Sequence, residues 1–78
     1  MGSLKKSFGR VIARTRRQRK MSQEDLAFEI DMTRTHVSLL ERGLHSPTLD
    51  TMAIIAKALD VRLDHLISMV LKDLAENR

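Results

Sequence analysis

Residues 22–43 read SQEDLAFEIDMTRTHVSLLERG, and the fold turns on this stretch. Ser22 followed by Gln23, Glu24 and Asp25 has the pattern of a helix start: a hydroxyl to cap free N–H groups, then acids where the helix dipole favours negative charge. Leu26, Ala27 and Ile30 share one side at helical spacing, and Ala27 is small enough to let another helix cross closely, so a helix is expected over about Ser22 to Ile30. Asp31 and Met32 make a short turn. Thr33 then caps a further helix that ends at Gly43, a natural left-handed C-terminal position. In that helix Val37 and Leu40 face a core, with Glu41 at the edge, while Thr35, Ser38, Leu39 and Arg42 fall on the opposite side. Arg34 stands in the first turn, where a long side chain reaches past the helix end. The outward face is mixed, short-chained and basic, which suits a negative, textured surface.

Around this pair the chain reads as helix throughout. One proline, three glycines and no alternating apolar run argue for an all-α domain of five helices. The first is expected over about Leu4 to Lys20, with Leu4, Phe8, Val11, Ile12 and Thr15 inward and Arg10, Arg14 and Arg17 on another face. Leu44-His45-Ser46-Pro47 is a loop, and Thr48 caps a fourth helix whose apolar positions are Leu49, Met52, Ala53, Ile55, Ala56 and Leu59. Asp60-Val61 breaks it. The fifth runs from about Arg62 to residue 76.

With 78 residues the chain makes one small domain, spanning 1–78, whose core is marginal without disulfides, metal or oligomerisation. It has no cysteine, which leaves oligomerisation as the extra source of stability and fits a reducing cytosol. No apolar run approaches the roughly 18 residues needed to cross a bilayer, and the start lacks the apolar segment of a secretory signal. A cytoplasmic, nucleoid-associated protein is expected. Met1-Gly2-Ser3 is set aside as a plain start or expression scar.

Charge is unevenly spread. Lys5, Lys6, Arg10, Arg14, Arg16, Arg17, Arg19 and Lys20 all precede the first acid, Glu24, whereas acids slightly outnumber bases from Asp50 onward. One end should meet a polyanion.

Two short helices joined by a tight turn, the second with a polar start, make a helix-turn-helix, here over about residues 22–42. Over roughly residues 8–68 the sequence resembles the phage-repressor-like (Cro/CI, or Xre-type) helix-turn-helix family. The resemblance rests on Ser22-Gln23, Leu26-Ala27, Val37, Glu41, Gly43, Pro47 and the Ile-Ala-x-Ala-Leu run from Ile55. Within that family the short chain and the Arg-Thr-His start of the third helix look most like controller proteins of restriction-modification systems. Asp31 stands where the family often has a glycine with positive φ, a conformation Asp tolerates. Arg62 replaces the usual Ser or Thr cap of the fifth helix, and Phe28 replaces a residue that is often polar; core, surface and interface are all open to it.

The resemblance implies a reader of double-stranded DNA whose third helix enters the major groove. Arg34 and Thr35 are the first expected base contacts, with Arg34 suited to donating two hydrogen bonds to guanine, and Ser38 and Leu39 lie on the same face, where a Thr methyl or an exposed Leu packs on thymine methyls. Leu39 has the alternative of being an ordinary surface leucine. Gln23 is similar to the family glutamine that binds phosphate and buttresses the reading helix. His36, His45, Ser46, Thr48 and Arg42 are further phosphate contacts, whereas Arg14 and Arg17 read as solvated charge. Arg16 and Glu41 match a structural ion pair of the family that ties the first helix to the third.

The fifth helix carries more apolar surface than one stripe needs. Ile67, Met69, Val70, Leu71 and Leu74 are expected to form a two-fold dimer interface, setting two reading helices about 34–36 Å apart on a palindromic operator; a core helix packed on Phe8 and Leu4 is the alternative. No glycine-rich phosphate loop, clustered carboxylates or ligand spacing appears, so no enzyme activity, cofactor, metal site or small-molecule ligand is expected. A rival reading from another class is an antitoxin-type module whose main partner is another protein.

Overall fold

The computed structural model describes residues 3–77 and contains α1 (Leu4–Gln18), α2 (Gln23–Glu29), α3 (Arg34–Glu41), α4 (Leu49–Ala58) and α5 (Leu63–Glu76), with no strand among the described residues. Met1 and Gly2 of the segment set aside above lie outside them. Ser3 does not belong with that segment: its hydroxyl caps α1, accepting from the Lys6 N–H at 3.4 Å.

The helix boundaries follow from cap chemistry. Ser22 and Asp25 form a reciprocal capping box at α2, Thr33 accepts from the His36 N–H at α3, and Thr48 accepts from the Thr51 N–H at α4. The α5 start has no side-chain cap; Arg62 instead pairs with exposed Asp64 at 2.9 Å. Four helices stop in the same way. Lys20, Asp31, Gly43 and Asp60 take φ values of 58°, 56°, 72° and 57°, and the next residue's N–H reaches back to the carbonyl of Arg16, Ala27, Leu39 or Ala56 respectively. That left-handed step satisfies carbonyls the helix would otherwise leave free. It also ends α1 at Gln18 rather than at Lys20.

Phe8, Val11, Ile12, Leu26, Ala27, Ile30, Val37, Leu40, Ile55, Ala56, Leu59, Leu66 and Val70 form one core to which all five helices contribute. Three expected core positions lie outside it: Leu4, Leu49 and Ala53 are exposed. Phe28, at 85% exposure, lies outside the core, which leaves the surface and interface readings.

Helix α1 packs against both α3 and α5. At Gly9 it meets the end of α3 so closely that a Cβ there would lie 2.5 Å from the carbonyl oxygens of both Leu40 and Glu41. On its other flank Arg10 donates through Nη2 and Nε to Asp73 Oδ1 at 2.7 and 3.1 Å, and through Nη2 to the buried Ser7 hydroxyl at 3.2 Å. Asp73 is buried although charged.

The Arg10 guanidinium holds the Asp73 carboxyl below the usual carboxylate range; the Ser7 hydroxyl adds to this and burial works against it. A carboxylate depressed in the folded state stabilises the fold above its unfolded pKa of about 3.9, and that stabilisation disappears as pH falls through the folded value. Thermal melts between about pH 7 and pH 3 should show the midpoint falling below about pH 4. Asp73→Asn should start lower and fall less steeply; parallel curves would remove Asp73 from the acid response.

Candidate nucleic-acid interface

Helix α3 is short, and its seating is set from behind. Arg16 donates through Nε to Glu41 Oε2 at 2.7 Å, through Nη2 to Glu41 Oε1 at 3.0 Å, and through Nη1 to the Met21 carbonyl at 2.8 Å. The two side chains are 10% and 5% exposed, so this two-pronged ion pair is nearly dry. Glu41 also raises the Arg16 pKa above the ordinary arginine value. Gln23, at the start of α2, donates its amide to Glu41 Oε1 at 2.9 Å. One carboxylate thereby gathers α1, α2 and α3. An amide NH2 has two hydrogens, so Gln23 keeps one donor beyond the bond to Glu41.

With Val37 and Leu40 buried, the opposite side of α3 is open. Arg34, Thr35, Ser38, Leu39 and Arg42 line one shallow hollow along it. Arg34, Thr35 and Arg42 are exposed, and Ser38 and Leu39 are half-buried. The four expected base-reading residues and Arg42 thus share one continuous surface, polar and cationic with a single apolar side chain.

The flanking residues divide. His36, half-buried on α3, meets exposed His45 of the following loop edge to face, with ring centroids 5.6 Å apart and planes at 71°. This contact sets the loop against α3. Ser46 is exposed beside it. Thr48 is otherwise engaged: its hydroxyl donates to Thr51 Oγ1 at 2.9 Å while capping α4, so what this position presents to an anion is the helix start rather than a free hydroxyl.

The residues expected at a dimer interface also separate. Val70 is only 4% exposed and belongs to the chain's own core, so it cannot provide much interface area. Met69 packs on the opposite flank, near Thr15 and His65. Ile67 and Leu71 line an apolar groove of about 390 Å³ with Leu4, Phe8, Pro47 and Met52. Leu71 is 53% exposed, and half-buried Leu74 follows on the same stripe by helical spacing. The alternation of core and surface around one helix follows from α1 and α4 covering only part of its circumference.

Besides the Ser3 cap, three features were not anticipated from the sequence. Gly9 had a signal, since a glycine inside a helix carries a propensity cost of about 1 kcal/mol and calls for a packing reason. Asp73 had one too: with Leu66 and Val70 it occupies the core-facing i, i+4, i+7 row, an acid at an apolar position. The His36–His45 contact had none.

Two caps, a left-handed turn at Asp31 and an outward polar face on the second helix define a helix-turn-helix protein. The chain matches the helix-turn-helix family over residues 12–66 and belongs to it. It is similar to the control protein C.BamHI of Bacillus amyloliquefaciens, with 45% identity over 56 residues, covering 70% of this chain and 69% of that protein. It is similar also to the control protein C.MunI of Mycoplasma sp, with 31% identity over 94% of this chain and 100% of the other. Among solved structures it is similar to the restriction-modification controller protein C.Esp1396I, determined as a tetramer in complex with its natural 35 base-pair operator, at a TM-score of 0.85 and 29% identity over 96% of this chain and 99% of that one. No helix among the described residues is long and apolar enough to cross a membrane.

Proposed function

We propose that this chain is a homodimeric, sequence-specific transcriptional regulator that binds palindromic operators, one half-site per subunit, and controls a restriction-modification operon. The observation that carries this reading is the shared outward surface of Arg34, Thr35, Ser38, Leu39 and Arg42 on a helix anchored from behind by Glu41. Residues 1–78 act as one DNA-binding domain, in the cytoplasm and on the nucleoid, by occupancy and without catalysis. Arg34 reads guanine; Thr35, Ser38 and Leu39 read neighbouring base edges; Gln23, His36, Arg42, His45, Ser46 and the α4 start at Thr48 hold phosphates. Ile67, Leu71 and Leu74, with Leu4 and Pro47 beside them, form the dimer face.

Selection from random duplexes tests this. A palindrome with half-sites about one helical turn apart, held well above a scrambled duplex at high salt, is the expected result. Equal, salt-sensitive binding to every duplex would overturn it and point to a protein partner for the groove, as in an antitoxin-type module. Arg34→Ala should cost about 1–3 kcal/mol and relax preference at one base position, whereas Gln23→Ala should weaken all sites about equally. A uniform loss across an operator library for Arg34→Ala would assign it to phosphate.

A further inference from the structure

Helix α1 joins the reading helix to the proposed dimer face. At Arg16 it is tied to α3, and at Arg10, six residues earlier and about 9 Å along the axis, it is tied to α5. The second tie has an unusual position in α5. Beyond Val70, Asp73 is the only buried residue of that helix among the described residues. Leu71 and Leu74, the outer part of the apolar stripe, lie on this same final segment. Apolar packing at Leu66 and Val70 is non-directional and tolerates small rotations of the helix. A carboxylate accepting both Nε and Nη2 of one guanidinium does not, because the planar fork fixes direction as well as distance.

We propose that the Arg10–Asp73 pair is a positioning device: it fixes the tilt of the end of α5 against α1, and thereby the distance and rotation between the two reading helices of a dimer. The proposal rests on the palindrome-reading function above. Spacing selectivity then depends on a contact made within one subunit. Ser7, buried and hydrogen-bonded to Arg10, orients the guanidinium.

The test uses the full chain and a set of duplexes carrying the selected half-sites at the best separation and at separations one base pair shorter and longer, together with a duplex bearing one half-site. Wild type should strongly favour one separation. Asp73→Asn should reduce that preference by about fivefold to tenfold, the lower range of couplings between linked elements, with half-site affinity unchanged. Arg10→Lys keeps the charge but loses the fork, and should move the preference in the same direction in a chain that stays folded. Variants that bind all separations more weakly by one common factor would show a role in stability or dimerisation alone and overturn the proposal. A wild type with no preferred separation would remove the palindrome reading itself, a failure visible before any variant is made.

Discussion

Glu41→Ala is expected to destabilise the chain by about 3–5 kcal/mol, the cost of removing one partner from a buried ion pair. The guanidinium of Arg16 stays nearly dry at the α1–α3 contact and keeps only the Met21 carbonyl as an acceptor, and Gln23 loses its bond to α3 as well. In a domain of this size each kcal/mol shifts the thermal midpoint by about 4–8 °C, so a loss of about 3–5 kcal/mol corresponds to a fall of roughly 12–40 °C and is near the whole stability of many domains this small. Thermal and urea unfolding followed by circular dichroism measure it. Replacing both partners, Arg16→Met with Glu41→Leu, should recover much of the loss, because two apolar side chains remove the stranded charge along with the pair. That double variant would still lack the Gln23 anchor, so its DNA affinity should recover less than its stability. A loss under about 1 kcal/mol for Glu41→Ala would place the pair with solvent-screened surface bridges.

The second large effect is at Gly9, where two rules oppose each other. Helix propensity alone favours alanine over glycine by about 1 kcal/mol, so Gly9→Ala would stabilise an isolated α1. Packing decides otherwise. The new methyl would meet two backbone carbonyls at 2.5 Å, and backbone cannot swing aside as a flexible side chain can. Helices α1 and α3 must separate, which strains the Arg16–Glu41 geometry nearby; overpacking of this kind costs about 1–3 kcal/mol and occasionally more. We expect Gly9→Ala to be destabilising by about 2 kcal/mol and Gly9→Val by more, both with weakened operator binding because α3 is displaced. A rise in the unfolding midpoint for Gly9→Ala would show that the two helices have room to move apart.

Operator binding by either variant is best measured well below its unfolding midpoint. Loss of the folded fraction and displacement of α3 then separate: the first scales with denaturation and the second does not.

Much of this architecture was legible in the residues. Ser22, Thr33 and Thr48 announce three helix starts, since a cap and its helix lie within four positions of each other. Asp31 takes the left-handed turn expected of it, and Gly43 does the same at the end of α3. The outward row of Arg34, Thr35, Ser38, Leu39 and Arg42 follows from the helical period once Val37 and Leu40 are placed inside. These relations span one to two helical turns, and local sterics and hydrogen bonding determine them.

Tertiary structure decided the rest, for a physical reason. Periodicity states which side of a helix is buried but not what lies across from it. Gly9 meets residues more than thirty positions away, and Arg10 finds Asp73 sixty-three positions away. Whether Val70 or Leu71 faces water depends on how far α1 and α4 wrap α5, a matter of helix packing angles. The sequence by itself determined five helices, the caps of α2, α3 and α4, the turns at Asp31 and Gly43, and the face of α3 that looks outward. Only the assembled fold decided that Arg10 and Asp73 form a second structural pair, how closely α1 approaches α3, and which part of α5 is left uncovered, because each depends on contacts between segments whose spacing along the chain carries no information about their spacing in the fold.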